Sequence, residues 1–140
     1  MTKHVVVRRR RGYEHEIEIR EHRLIADEPA EKGGTDQGPA PSELLAASLG
    51  SCTAITLEMY AGRKEWGLGT VEVAVDYSEA TVDDPTTFDV TITLGAELSD
   101  EHLDRLRTIA SKCPVHKALK SQDVVINDSL ELIEEAEDED

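Results

Sequence analysis

Cys52 and Cys113 are the two thiols of this 140-residue chain, and Cys113 opens the run Cys113-Pro114-Val115-His116. Cysteines can be inert core residues, metal ligands or redox catalysts. Their local settings differ. Cys52 shares an apolar helical stripe with Leu45, Leu49, Thr56 and Met59, so its plain reading is a small hydrophobe in a core. It stands well inside its helix, too far from the N-terminus for the helix dipole to acidify it. An activating charge must then come from elsewhere. Cys113 stands immediately before Pro114, at or near the N-cap of a short helix, where unpaired N–H groups favour a thiolate. His116 lies one turn on and can add positive charge. Local chemistry therefore ranks Cys113 as the better thiolate, with a loop cysteine capping a helix as its plain reading.

Other chemistries find less support. Zinc prefers closely spaced ligand pairs. Cys113 and His116 make one such pair, and a second would require Cys52 with His22 or His102. No nucleophile-elbow pattern supports serine hydrolysis. The segment Gly33-Gly34-Thr35-Asp36-Gln37-Gly38 lacks the lysine and the strand-to-helix context of a phosphate loop.

Composition narrows the setting. The chain carries 30 acidic and 15 basic side chains, a formal net charge of −15. Such a surface is repelled by nucleic acid and by anionic membranes, and it favours solubility. No apolar run is read as the roughly 20 residues of a bilayer span, and Met1–Lys3 leads directly into a strand-like Val5-Val6-Val7 without a signal-peptide pattern. A cytoplasmic location is expected, where paired cysteines are seldom structural disulfides. Length fits one domain, 1–133, followed by an acidic tail, 134–140.

The elements that must position the thiols can be read from periodicity. Between His4 and Ala26, short alternating runs broken at Arg11-Gly12 and Arg20-Glu21 predict a three-stranded antiparallel meander. Asp27 to Pro41 is a long loop rich in glycine and proline, of the kind that often carries function. From Ser42, a plausible cap, to Gly62, a plausible stop, the spacing predicts a long helix. Its many small residues point to a buried helix approached closely by other backbone, with Gly50 placed for such packing. Two strands follow around Val71–Val75 and Phe88–Leu94, joined near Asp83-Asp84-Pro85. Ser99 opens a helix ending near Lys112, Pro114 starts a short one, and Val124, Ile126, Leu130 and Leu132 predict a closing strand or strands. The order β-β-β-α-β-β-α-α-β defines an α+β protein, antiparallel strands around a long central helix. The meander has an amphipathic face with few partners of its own, so a second subunit is a candidate to cover it.

Two segments carry a resemblance. Gly33 to Ala54, which includes Pro41-Ser42-Glu43-Leu44-Leu45 and Gly50-Ser51-Cys52-Thr53, resembles the centre of the OsmC/Ohr family of osmotically inducible and organic hydroperoxide resistance proteins. Ala110-Ser111-Lys112-Cys113-Pro114-Val115-His116 resembles the family's second cysteine motif, and the element order agrees over nearly the whole chain. The resemblance implies an OsmC-like fold and an intertwined homodimer with active sites at the subunit interface. It implies a peroxidatic Cys52 and a resolving Cys113, reversing the ranking from local chemistry. It further implies an arginine from the meander, here Arg10 or Arg11 before Arg20 or Arg23, and a glutamate before the central helix. In well-characterised branches that glutamate lies ten residues before the cysteine. Ser42 occupies that place here and Glu43 follows it, a step of about 100° around a helix. The sequence is therefore more similar to the OsmC-like branch.

The implied reaction is reduction of an organic hydroperoxide by Cys52, through a sulfenic acid and a Cys52–Cys113 disulfide, with a dithiol reductant restoring both thiols. Leu49, Ile55 and Met59 would suit an alkyl chain. No cofactor is implied. The rival expectation is a non-catalytic OsmC-like module holding an apolar small molecule at the dimer interface.

Overall fold

The computed structural model describes residues 2–133; the acidic tail lies outside them. The meander forms as expected: β1 (Val6–Arg11), β2 (Glu14–Ile19) and β3 (His22–Ala26) pair antiparallel in the order β1-β2-β3. Gly12 turns the chain between β1 and β2 with φ at 51°, a conformation that costs glycine little because it lacks Cβ. Charged pairs ladder across the sheet: Arg23 lies 3.1 Å from Glu16 and 3.2 Å from Glu18.

The loop that follows is a compact structure built on Asp27. The Asp27 carboxylate, almost fully buried, accepts the N–H of Glu28 at 2.7 Å, the N–H of Gln37 at 3.1 Å and the hydroxyl of Thr35 at 2.9 Å. The Asp27 N–H donates to the Pro39 carbonyl at 3.0 Å. Gly34 fits because a Cβ there would stand 2.0 Å from the Glu28 carbonyl oxygen. The loop thus delivers the chain to the central helix along a fixed path.

That helix, α1 (Pro41–Lys64), spans 24 residues. It starts earlier than expected: Ala40 rather than Ser42 is the N-cap, with Pro41 in the first turn, where its missing N–H is not needed. It also passes Gly62 and ends at Glu65, which adopts the left-handed conformation at φ 60°. The Trp66 N–H closing onto the Ala61 carbonyl at 2.9 Å satisfies the last turn. By length and composition alone α1 is apolar enough to cross a bilayer. In the fold, however, α1 packs on strands and helices of its own chain.

Two strands, β4 (Val71–Ser78) and β5 (Thr87–Leu94), pair in register from Val71↔Leu94 to Ser78↔Thr87. They lie against α1, and Gly50 permits the approach: a Cβ there would meet Val75 Cγ2 at 3.2 Å. The helix α2 (Asp100–Ala110) begins at Ser99, whose Oγ accepts the His102 N–H at 3.2 Å. It stops at Ala110, two residues before the expected end. Leu57, Ala61, Leu68, Leu106 and Ile109 form the core between α1, α2 and the β4–β5 pair.

Two expectations fail within the single chain. No closing strand forms among the described residues: Val124, Ile126, Leu130 and Leu132 lie outside any strand, exposed at 56–94%. A strand needs a neighbouring edge for its N–H and C=O groups, and this segment lies on none of the edges of the two sheets. Nor is α1 buried all round. Its packed face runs through Ala46, Leu49, Gly50, Thr53, Leu57 and Ala61, whereas Leu45, Ile55 and Met59 remain exposed.

Candidate active site

The first turn of α3 (Pro114–Lys120) brings the second motif onto α1. Cys113 is the N-cap of α3, extended at φ −65° and ψ 142°, and its Sγ accepts the His116 N–H at 3.2 Å. Both cysteines are free thiols. Cys113 has no solvent exposure, while Cys52 is partly open. The two thiols lie close enough to influence each other's ionisation. Residues distant in sequence are therefore joined at one place.

Position on α1 explains the difference in exposure. Cys52 belongs to the stripe of Leu45, Ile55 and Met59 that the chain leaves open, and α3 covers it only in part. Thr53, the next residue, points about 100° further round the helix, into the packed face, where it is 2% exposed. Its hydroxyl donates to the Leu49 carbonyl at 2.8 Å, and Thr53 Oγ1 lies 3.9 Å from Cys113 Sγ.

The environment of Cys52 holds its thiol pKa above the usual range. Burial is the largest cause, and the neighbouring Cys113 adds to it. The Val115 N–H and the Thr56 hydroxyl pull the other way and are outweighed. A single chain thus keeps Cys52 largely protonated near neutral pH.

The remaining expected site residues are engaged with other partners within the chain. Glu43 lies in the first turn of α1, where its Oε1 accepts the Ala40 N–H at 2.9 Å. Arg10 Nε lies 3.2 Å from Glu14 Oε2, and Arg11 Nε lies 3.8 Å from Glu14 Oε1. Glu14 is itself 5% exposed, so both guanidinia are directed to a buried carboxylate rather than to Cys52. The other meander arginines named above, Arg20 and Arg23, are held by Glu21, Glu16 and Glu18. Among the described residues no three or more His, Cys, Asp or Glu side chains converge as for a metal. His102 stacks on Trp66 at 3.8 Å instead. Asp27 and Thr53 were not singled out from the sequence. The nearest signal for Asp27 was its place at the head of the long loop, and for Thr53 its place beside Cys52.

Leu49, Phe88, Val90, His116, Leu119 and Lys120 line a cavity of about 180 Å³ between α1, β5 and α3. A larger groove of about 580 Å³ runs between the meander and the start of α1, walled by Val7, Tyr13, Ile17, Ala26 and Leu44.

An α+β chain with a long central helix, two antiparallel sheets and a cysteine from each of two helical segments defines a family. The sequence model for OsmC-like proteins matches residues 34–127, and the chain belongs to this family. Solved structures share the fold. A protein of Psychrobacter arcticus 273-4, named for osmotic stress induction and detoxification, superposes with a TM-score of 0.75 at 24% identity, over 84% of this chain and 88% of that one. The organic hydroperoxide resistance protein OsmC of Legionella pneumophila gives 0.61 at 20% identity, over 84% and 89%. The organic hydroperoxide resistance protein OhrB of Bacillus subtilis gives 0.59 at 23% identity, over 87% and 93%. No curated protein shows significant sequence similarity to the chain.

Proposed function

We propose that this chain is a thiol peroxidase that reduces organic hydroperoxides in a reducing compartment such as the cytoplasm, as part of oxidative stress defence. The observation that carries the reading is the meeting of Cys52 and Cys113, one partly open and the other fully enclosed. Exposure supports the roles: Cys52 is partly open to a hydroperoxide, whereas Cys113 is enclosed.

In the proposed reaction the Cys52 thiolate attacks the distal oxygen of ROOH, the O–O bond breaks, and the alkoxide takes a proton to leave as ROH. Cys52 is oxidised to the sulfenic acid. Cys113 then attacks the Cys52 sulfur, and its proton leaves with the sulfenic hydroxyl as water. A dithiol reductant reduces the resulting disulfide by exchange and is itself oxidised. The exposed Ile55 and Met59 on the same stripe as Cys52 suit an alkyl group better than hydrogen peroxide.

The raised thiol pKa of Cys52 requires a cation that its own chain does not supply. We assign that cation to a second copy, in a homodimer whose meander covers the open stripe of α1. Arg11 is favoured over Arg10, because its contact to Glu14 is longer and its side chain more exposed. Glu43 would orient it through the carboxylate oxygen left by the Ala40 bond.

The test is to add cumene hydroperoxide to the reduced protein, follow peroxide loss and map disulfides by mass spectrometry. The expected result is a Cys52–Cys113 disulfide and loss of turnover in Cys52→Ser. Peroxide consumption that survives Cys52→Ser would overturn the proposal, and intact thiols would favour a non-catalytic module.

A further inference from the structure

The cavity between α1, β5 and α3 joins an apolar interior to a cationic side. Leu49, Phe88, Val90 and Leu119 line its interior, and Val90 and Leu119 keep apolar surface exposed. Its two nitrogen-bearing side chains both come from α3. His116 and Lys120 stand four residues apart, with Leu119 in the same turn. That spacing sets all three on one face of the helix. The imidazole can donate a hydrogen bond, and the ammonium carries a full positive charge. Lys120 is exposed, so its stem can follow the apolar wall while its head stays at the mouth.

Local charge is opposite to that of the whole chain. The net charge is −15, yet no acidic residue occurs between Asp104 and Asp123, a stretch that holds Arg105, Arg107, Lys112, Lys117 and Lys120. On β5, Asp89 alternates with Phe88 and Val90 and so falls on the other face of the ribbon. Among the described residues no carboxylate pairs with His116 or Lys120. Leu49 lies on the packed face of α1, not on the open stripe, so a single chain builds this cavity.

We propose that the cavity binds a short-chain alkyl carboxylate, its tail on the apolar wall and its head held by Lys120 and His116. Volume sets the length. At about 30 Å³ per non-hydrogen atom, the share of one water in the liquid, a cavity of about 180 Å³ takes roughly six carbons. The site stands independently of the roles proposed for the thiols. It adjoins them through the backbone, because the His116 N–H also bonds Cys113 at 3.2 Å.

Isothermal titration calorimetry of the full chain with butanoate, hexanoate, octanoate and decanoate tests the site. Burying one methylene tightens binding about fourfold. Affinity should rise by about that factor per methylene from butanoate to hexanoate and level off beyond octanoate. Leu119→Trp, which fills the cavity, should abolish the heat with hexanoate. Lys120→Gln should weaken hexanoate about threefold and leave hexan-1-ol, which has the same tail and no charge, unaffected. Both positions are exposed, and ligand-free melts should match the wild type. Amide NMR shifts induced by hexanoate should centre on Leu49, Phe88, Val90 and α3. Absence of binding by all four acids, an undiminished gain up to decanoate, or shifts centred elsewhere would overturn the site. Hexanoate binding unaltered in a folded Leu119→Trp would do the same. Equal hexanoate affinity in Lys120→Gln and wild type would overturn the carboxylate as its ligand.

Discussion

Asp27 illustrates how one side chain can order a segment that lacks regular structure. Its burial opposes ionisation, but hydrogen bonds from Gln37, Glu28 and Thr35 outweigh that cost and hold the carboxyl below its ordinary pKa. A carboxyl depressed in the folded state favours folding above its unfolded pKa, and this contribution disappears as pH falls through the folded value. Asp27→Asn should therefore melt below the wild type at pH 7, with the difference narrowing as the pH falls below about 4. Thermal melts of both proteins across this range check the direction. A constant gap would mean that the hydrogen bonds work equally well without the charge. Because the Asp27 carboxylate ties Thr35 and the Gln37 N–H back to the start of the loop, the same variant should raise amide exchange between residues 28 and 38.

At the level of elements, the β4–β5 pair carries a conflict on its open face. Register places Asp76 directly opposite Asp89, and both are exposed. Like charges facing each other across an antiparallel pair are destabilising, and opposite charges there are worth roughly 0.2–1 kcal/mol. Asp89→Lys is expected to raise stability by an amount of that order in urea titrations, and high salt should shrink the gain. An unchanged midpoint would show that solvent already screens the pair. The buried face of the same ribbon packs on α1 at Gly50, so this change leaves the thiols untouched. Helix α2 links the two regions: its Leu106 and Ile109 enter the core, and its end leads within three residues to Cys113.

The molecule as a whole leaves unfinished surfaces that agree with one another. Leu45, Ile55 and Met59 are open on either side of Cys52 along α1, the meander exposes Val5, Val7 and Leu24, and residues 124–133 present apolar groups without a neighbour. The first 26 residues hold seven basic and four acidic side chains, whereas the chain overall has a net charge of −15. A basic meander laid on the acid-rich body of a second copy satisfies both the apolar and the charge requirements. On this proposal the Cys52 thiolate depends on assembly. Its alkylation by iodoacetamide at pH 7 should accelerate as concentration rises through dimer formation, measured beside sedimentation. Arg11→Ala should flatten that acceleration, and Arg10→Ala should do so less. A rate independent of concentration across the monomer–dimer transition would remove the partner arginine from the mechanism.

Periodicity in the sequence was enough for the meander, the long helix, the β4–β5 pair and the capped α2, because each is set by local spacing of apolar residues and by turn chemistry. The motifs around Cys52 and Cys113 also identified the family that the match over residues 34–127 establishes. What the sequence could not decide depends on contacts between distant parts of the chain. It placed a strand at Val124–Leu132, since alternation is visible locally, but whether an edge exists to pair with is a tertiary matter. It ranked Cys113 as the more reactive thiol from its N-cap position. Folding encloses that sulfur completely and leaves Cys52 on the open stripe of α1. Exposure belongs to the packed molecule, and it is exposure that distinguishes the two thiols.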